Sequence, residues 1–493
     1  MRFIGKDPNI IDSYYTATAE GAITAGKPVI VEADGDVAQV SGNNLEQGTA
    51  NEFDTNSSAF YAVVYDSSSE RFVVVNRSSN SGPTKGRVGQ IDSSDNSVSF
   101  GTAVNLSGSI EALYNDGAYD ANADRVLIAF RDLTNSNGAA VVAEVDPSDN
   151  SISFGTKVVF ESGNTYYSTV TYDSNAQKCV VFFADQNDSM KGKARVATIT
   201  PATNAVSFGT VATFESGAAE EINAVFNSSL NKHHIIYKDT DNSNYGTICT
   251  ATVSGTSISF NTPVVFNSGG TVEPHVGYDA TNDKLLLVFK DQSVGGSPGT
   301  AIVATAASGG TYSFGSKAVF ESGATRAPNP VYNPDTGKFT VFYIDDADSD
   351  KGKFAVGTIS GTTVTFEDPV IFNDADTGGS VTLYLQAAYD TTLDRNLVVY
   401  TGANNTYRGT AKVIRNESIS LTSENYIGIA DDTYADNADA TVAIVGCIDR
   451  NQTGLTAGQQ YFVQIDGTLS TTPDTPSVLA GTAISATELV VKE

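Results

Sequence analysis

From Ala59 to Thr422 the apolar residues fall in short runs rich in Val, Ile, Phe and Tyr, bounded by Asp, Asn, Gly and Ser. None keeps a 3.6-residue spacing over the length of a helix, so the pattern predicts strands joined by tight turns. One stretch shows the scheme. Ser168 to Tyr172 ends in Tyr172-Asp173 and a polar turn, Ser174 to Gln177. Lys178 to Ala184 is continuously apolar, and a loop, Asp185 to Gly192, follows it. Lys193 to Ile199 alternates, and a Pro-Ala-Thr-Asn turn leads into Val206 to Phe214.

This scheme repeats. A Ser-Phe-Gly-Thr phrase recurs with drift and places its aromatic at Phe100, Phe154, Phe208, Phe260, Phe314 and Phe366, at spacings of 54, 54, 52, 54 and 52 residues. Ser418-Ile419-Ser420-Leu421 reads as a seventh, degenerate copy. A second marker, an aromatic followed by Asp or Asn, counts seven units as well, from Tyr65-Asp66 to Tyr389-Asp390. Four antiparallel strands per unit, repeated seven times, predict an all-β, seven-bladed propeller of four-stranded blades. Six of the phrases are followed by an extended tail, such as Lys157-Val158-Val159-Phe160, and the seventh is not. A segment ahead of Ala59, Glu46 to Phe53, is therefore expected beside the last blade, where it would leave no open strand edge.

The flanks differ in character. Glu20 to Val40 reads as two strands, and the stretch after Tyr426 holds at least four more, with Asp466-Gly467 as a hairpin turn. Thr24-Ala25-Gly26-Lys27 and Thr456-Ala457-Gly458-Gln459 are near copies, each followed by an apolar strand. The expected organisation is residues 1–57 as the first part of a small β domain plus the closing segment, 58–423 as the propeller, and 424–493 as the rest of the small domain.

Charge narrows the partners. Across 493 residues, 29 basic and 57 acidic side chains leave a net charge of −28. That field repels phosphate, so nucleic acid is an improbable partner. No apolar run reaches the roughly 18 residues of a membrane helix, and Met1 to Ile10 lacks the apolar stretch of a signal peptide. Cys179, Cys249 and Cys447 stand far apart and odd in number, which suits reduced thiols rather than a disulfide framework or a zinc site.

The flanking phrases carry a resemblance. Gly21 to Val29, Glu424 to Ala430, Gly454 to Val463 and Ala480 to Ser485 look like those of virion structural proteins of tailed phages, especially marine ones, which often carry similar repeats. The resemblance implies a non-enzymatic fibre, spike or head-decoration subunit, made in the host cytoplasm and located in the virion. It implies contacts with other virion proteins, a homo-oligomeric or multi-copy state, and adhesion to a host-surface glycan or protein. The competing expectation is a propeller that binds or cleaves glycans in its own right.

Candidate chemistry is sparse. The Asp-box of sialidases needs a Trp, and the chain has none. Arg71, Arg125, Arg131, Arg195 and Arg326 do not recur at one repeat position, so a converging arginine set is not expected. His233 and His234 are expected to alternate, one inward and one outward. Tyr166-Tyr167 could form a stacking platform for a sugar, or cover a blade edge. The sharpest polar feature is the loop Asp345-Asp346-Ala347-Asp348-Ser349-Asp350, whose carboxylates Asp345, Asp346, Asp348 and Asp350 could hold Ca²⁺. The same spacing also makes ordinary Asx turns, which is the stronger of the two readings.

Overall fold

A computed structural model describes residues 13–492 apart from 33, 41–43, 79–81, 107, 109, 377–383, 403–406, 418–420, 465–466 and 475. Among the described residues the chain is all-β, with two short 3-10 turns at Gln186–Asp188 and Pro201–Thr203. It divides into two compact units, Gln47–Ile414 and Met1–Glu46 with Arg415–Glu493.

In the larger unit every repeat builds an antiparallel group. The repeat read above supplies Thr165–Asp173, Lys178–Asp185, Lys191–Thr200 and Ala205–Phe208, paired in that order. The apolar tail then turns back onto the same third strand: Lys193 lies opposite Thr213, and Ala194 opposite Ala212. No turn follows the tail. It runs on as one 16-residue strand, Ala212–Asn227, whose second half opens the next repeat. Val264–Asp279 and Ala318–Asn333 do the same. A single strand therefore serves two neighbouring groups. The first strand of each repeat also packs on the first strand of the next, and Leu385–Asp390 of the last packs on Asn51–Asp66 of the first.

The expected closing segment is in place. Asn51, Glu52 and Asp54 lie opposite Ala411, Thr410 and Gly409, on the third strand of the last repeat. The backbone N–H of Gly48 donates to the Val413 carbonyl, as the motif glycines Gly155 and Gly209 do to Val142 and Val196. Gly48-Thr49 thus occupies the motif position of the seventh repeat. This corrects the assignment of that copy to Ser418–Leu421. Residues 418–420 lie outside the described residues, and Leu421 is buried with Ile30 and Tyr426 in the core of the smaller unit.

The second strand of each repeat is sandwiched between neighbouring groups, so both of its faces are buried. Lys178–Asp185 buries seven consecutive residues. The same placement corrects the expectation for the histidines. His233 and His234 are both fully buried. Thr171 and Asp173 of the preceding repeat hold His233, at 2.8 and 3.3 Å, and Tyr312 of the following one holds His234 at 2.8 Å. The Thr171–His233–Asp173 row looks like a catalytic relay but reaches no surface, and it works as a joint between repeats.

In the smaller unit, strands from both ends of the chain share one sheet. Tyr14–Thr18 pairs with Asp439–Ala443, and Pro28–Val31 with Tyr426–Ala430. The near-identical phrases make the same turn, with Gly26 and Gly458 at φ of 76° and 84°. Asp466 of the expected hairpin lies outside the described residues.

Candidate functional site

The site grows from an irregularity repeated around the larger unit. In six repeats the pairing of the first strand slips by one step, as between Leu113 and Asp116 or between Tyr166 and Thr169. Each slip is a β-bulge, which lifts residues out of the ladder and re-aims their side chains. One residue per bulge is left-handed: Phe60, Tyr114 and Tyr167 at φ 52°, Glu221 at 53°, Glu273 at 50° and Ala327 at 49°. None is glycine, so each carries a backbone cost of about 1–3 kcal/mol that the surrounding ladder must offset. Tyr384 stands five places before its Tyr389-Asp390 marker, as Tyr114 does before Tyr119-Asp120.

All seven of these residues line one funnel of about 320 Å³. Its wall has two unlike arcs. Phe60, Tyr114, Tyr167 and Tyr384 form the aromatic arc, with ring centroids 4.4 Å apart for Phe60–Tyr384, 5.4 Å for Phe60–Tyr114 and 5.1 Å for Tyr114–Tyr167. Glu221, Ile222, Glu273, His275 and Ala327 form most of the other. Among the described residues no Lys or Arg lines it.

A belt of hydrogen bonds ties each repeat to the next at this level. Asp116 accepts from the Thr169 hydroxyl and the Val170 N–H, both at 2.8 Å. Glu221 accepts from the Glu273 N–H, and Glu273 from the Ala327 N–H, both at 2.5 Å. Burial pushes Asp116 up to about 6 and Glu273 up to about 7, and pushes His275 down to about 4. His275 Nδ1 faces the Glu273 carbonyl at 3.3 Å, an acceptor only, so this nitrogen carries the proton and Nε2 is left as an acceptor. Two polar atoms of the wall have no partner. Asn115 Oδ1 and Ser168 Oγ are unsatisfied, on residues 5% and 6% exposed. Unpaired buried groups of this kind each cost about 1–3 kcal/mol, which a ligand's donors and acceptors would recover.

Asp116 gives a pH-dependent prediction. Its carboxyl binds a proton more tightly folded than unfolded. The folded state therefore carries the whole cost above pH 6, and none below the ordinary carboxylate range. Asp116→Asn keeps an acceptor for Thr169 and Val170 and removes the charge. It should stabilise the protein at pH 8 by on the order of 1–3 kcal/mol, and the gain should fade between pH 6 and 4. Thermal melts of both proteins across that range check it. A gain that persists at pH 4 would show that charge is not the cause.

The sequence singled out other residues, and the structure places them elsewhere. Asp345 accepts from the Ala347 and Asp348 N–H groups, as in an Asx turn, and from Lys353 at 2.6 Å. Asp348 bonds Lys351 and Lys353, while Asp346 and Asp350 are held by Arg326. Each of the four carboxylates faces a cationic side chain of the chain itself. Among the described residues no three His, Cys, Asp or Glu gather as a metal set. A chelator should leave the melting temperature unchanged, and a drop on EDTA restored by Ca²⁺ would reverse that expectation. The arginines do not converge either. Arg71 bonds Asn150, Arg125 bonds Asn204 and Glu144, and Arg131 stacks 4.2 Å over Tyr166. Of the tyrosine pair, Tyr167 lines the funnel and Tyr166 packs beside Tyr114. The funnel as a whole was missed, although its signal was there: the residue five places before each aromatic-Asp marker.

Neither a family model nor a curated protein matches the chain. Solved structures do. A lectin from Burkholderia pseudomallei, BP39L, aligns over 74% of this chain and all of its own, at 11% identity and a TM-score of 0.54. The β-propeller domain of Myceliophteria thermophila Cps50 (Swd1) aligns over 74% and 99%, at 8% identity and a TM-score of 0.47. A periplasmic gluconolactonase from Pseudomonas aeruginosa aligns over 73% and 97%, at 12% identity and a TM-score of 0.46. At such identities the likeness is one of fold alone, and it is the strand pairing and the cyclic packing of first strands described above that make the larger unit an array of the β-propeller type.

Proposed function

We propose that the chain is a non-enzymatic virion structural protein, a fibre, spike or decoration subunit, whose larger unit is a seven-bladed propeller that binds a host-surface glycan. The carrying observation is the funnel, where four aromatic rings stand beside two unsatisfied buried polar atoms. Aromatic faces pack on the apolar faces of sugar rings, and a few placed polar groups fix their orientation. The blade count is supported by the cyclic contact of seven first strands and by the shared strand at the seam. The virion role is supported by the flanking phrases, and with it go contacts to other virion proteins and a multi-copy, homo-oligomeric state.

Two features favour binding over catalysis. Burial raises the phenols of Tyr167 and Tyr384, which opposes a tyrosine nucleophile. The funnel carboxylates are also engaged by backbone N–H groups. One observation favours the hydrolytic alternative: two carboxyls with raised pKa, Asp116 and Glu273, share the pocket. Two measurements test the reading. Mass spectrometry of purified particles should find the chain, and glycan-array binding by the purified protein should be lost in Tyr114→Ala. Absence from particles would remove the virion role. Release of reducing sugars by the wild type, lost in Asp116→Asn, would establish the alternative.

A further inference from the structure

The funnel discriminates between kinds of sugar. Its lining carries three carboxylates, those of Asp116, Glu221 and Glu273, and two further acceptors, the free Oδ1 of Asn115 and Nε2 of His275. An anionic sugar would bring a carboxylate against these carboxylates with no Lys or Arg in the wall to receive it. A sugar that carries donors would satisfy them.

The two glutamates are not equivalent. Glu221 already faces a cation, Lys238, at 2.8 Å. Glu273 accepts from the Ala327 N–H at 2.5 Å, and among the described residues no Lys, Arg or His stands within ion-pair distance of it. Its nearest basic neighbours in charge terms, Lys290 and Arg326, are both turned to Asp346. Buried without a counter-ion in contact, Glu273 holds its proton up to about pH 7, and a cation placed beside it would displace that proton and complete an ion pair. The aromatic arc shares its funnel, and the faces of tyrosine and phenylalanine rings attract cations.

We propose that the funnel takes an amino sugar, its ring lying on the aromatic arc, its hydroxyls meeting Asn115 and Ser168, and its free ammonium group completing the pair with Glu273. This rests on the reading of the funnel as a glycan site. An N-acetylated sugar has the same ring and most of the same donors but no charge, so it would stack without completing the pair.

The test uses the full-length protein and isothermal titration calorimetry at pH 7, with two probes: the trisaccharide of β-1,4-linked glucosamine and its fully N-acetylated form. The free-amine form should bind at least tenfold more tightly. Glu273→Gln keeps the acceptor for the Ala327 N–H and removes the charge. In that variant the preference should fall towards unity, with a melting curve that shows the fold is intact. Tyr114→Ala should weaken both sugars. If the N-acetylated form binds as well as the amine, or if the preference survives Glu273→Gln, the amino-sugar assignment is wrong while the glycan reading stands. If neither sugar binds and Tyr114→Ala changes nothing on a glycan array, the glycan reading falls with it.

Discussion

Asp54→Ala should destabilise the protein by about 3–5 kcal/mol, the largest loss expected from one side chain. Asp54 sits on the closing segment, and Arg87 belongs to the first repeat. Both side chains are only 4% exposed, and they stand 3.6 Å apart. Arg87 also donates to the Phe53 carbonyl at 2.7 Å and lies 4.7 Å over the Phe53 ring. Burial alone would raise Asp54. Hydrogen bonds from Asn76, Asn56 and Ser78, with the charge of Arg87, outweigh burial and hold the carboxyl below its ordinary value. Removing it leaves a guanidinium buried without a counter-charge, which costs more than the lost pair itself. Asp54→Leu with Arg87→Met should recover part of the loss, because it removes the stranded charge while Asn76, Ser78, Asn56 and the Phe53 carbonyl still lose their partners. Denaturant unfolding of the two variants measures it. A double variant no better than Asp54→Ala would place the energy in the hydrogen bonds rather than in the stranded charge.

Gly155→Ala should cost on the order of 3 kcal/mol, at the upper end of overpacking effects, and Gly155→Val more. A Cβ at Gly155 would stand 1.9 Å from the Asn204 carbonyl oxygen, which belongs to the outer turn of the next repeat. That turn cannot yield easily. Asn204 is gripped by Arg125 at 2.7 Å and by Glu144 at 2.7 Å. Backbone would press on backbone, and the two repeats would have to part. Gly309→Ala is the control, since nothing lies within 4 Å of its Cβ position; it should stay within about 0.5 kcal/mol of the parent. One joint of the chain shows the inverse arrangement. There the motif position is Asn261, and the facing turn supplies Gly310, where a Cβ would lie 2.4 Å from the Asn261 side chain. Equal melting temperatures for Gly155→Ala and Gly309→Ala would refute this account.

The period of the repeat and the slot for the closing segment were legible because they depend on composition alone: β-branched runs, Asx turns and a missing tail. The seventh motif copy was not, because Gly48-Thr49 lies more than three hundred residues from the strand it completes. The shared strands were hidden for a related reason. Ser216-Gly217 and Ser322-Gly323 are turn-forming pairs, yet Ala212–Asn227 and Ala318–Asn333 pass through them as continuous strands. The histidine pair was misjudged because alternation assumes one wet face, and a strand between two packed groups has none. The funnel escaped because its only signal is positional, five places before each marker, and the residue types found there, from Phe and Tyr to Glu and Ala, share no chemistry that would draw attention to the position. A bulge is a feature of the ladder, and propensity favours no such residue there. The acidic loop drew attention because carboxylates are conspicuous in a sequence, whereas the Lys353 and Arg326 that answer them stand on other strands.

The seam has a consequence for how the chain reaches its native state. Glu52 and Arg408 meet across 356 residues of sequence. During synthesis the closing segment leaves the ribosome ahead of the repeats and its partner strand comes in the last of them, so the seam cannot form until nearly the whole repeat array exists. Until then both ends expose unpaired strand edges, the state most open to aggregation. Contacts so distant in sequence make folding slow. Once the seam forms, the same topology acts in reverse. No repeat can peel away from an end, because neither end of the array is free. Escape requires breaking an interior joint or the seam itself, so persistence should be governed by a high unfolding barrier rather than by equilibrium stability alone.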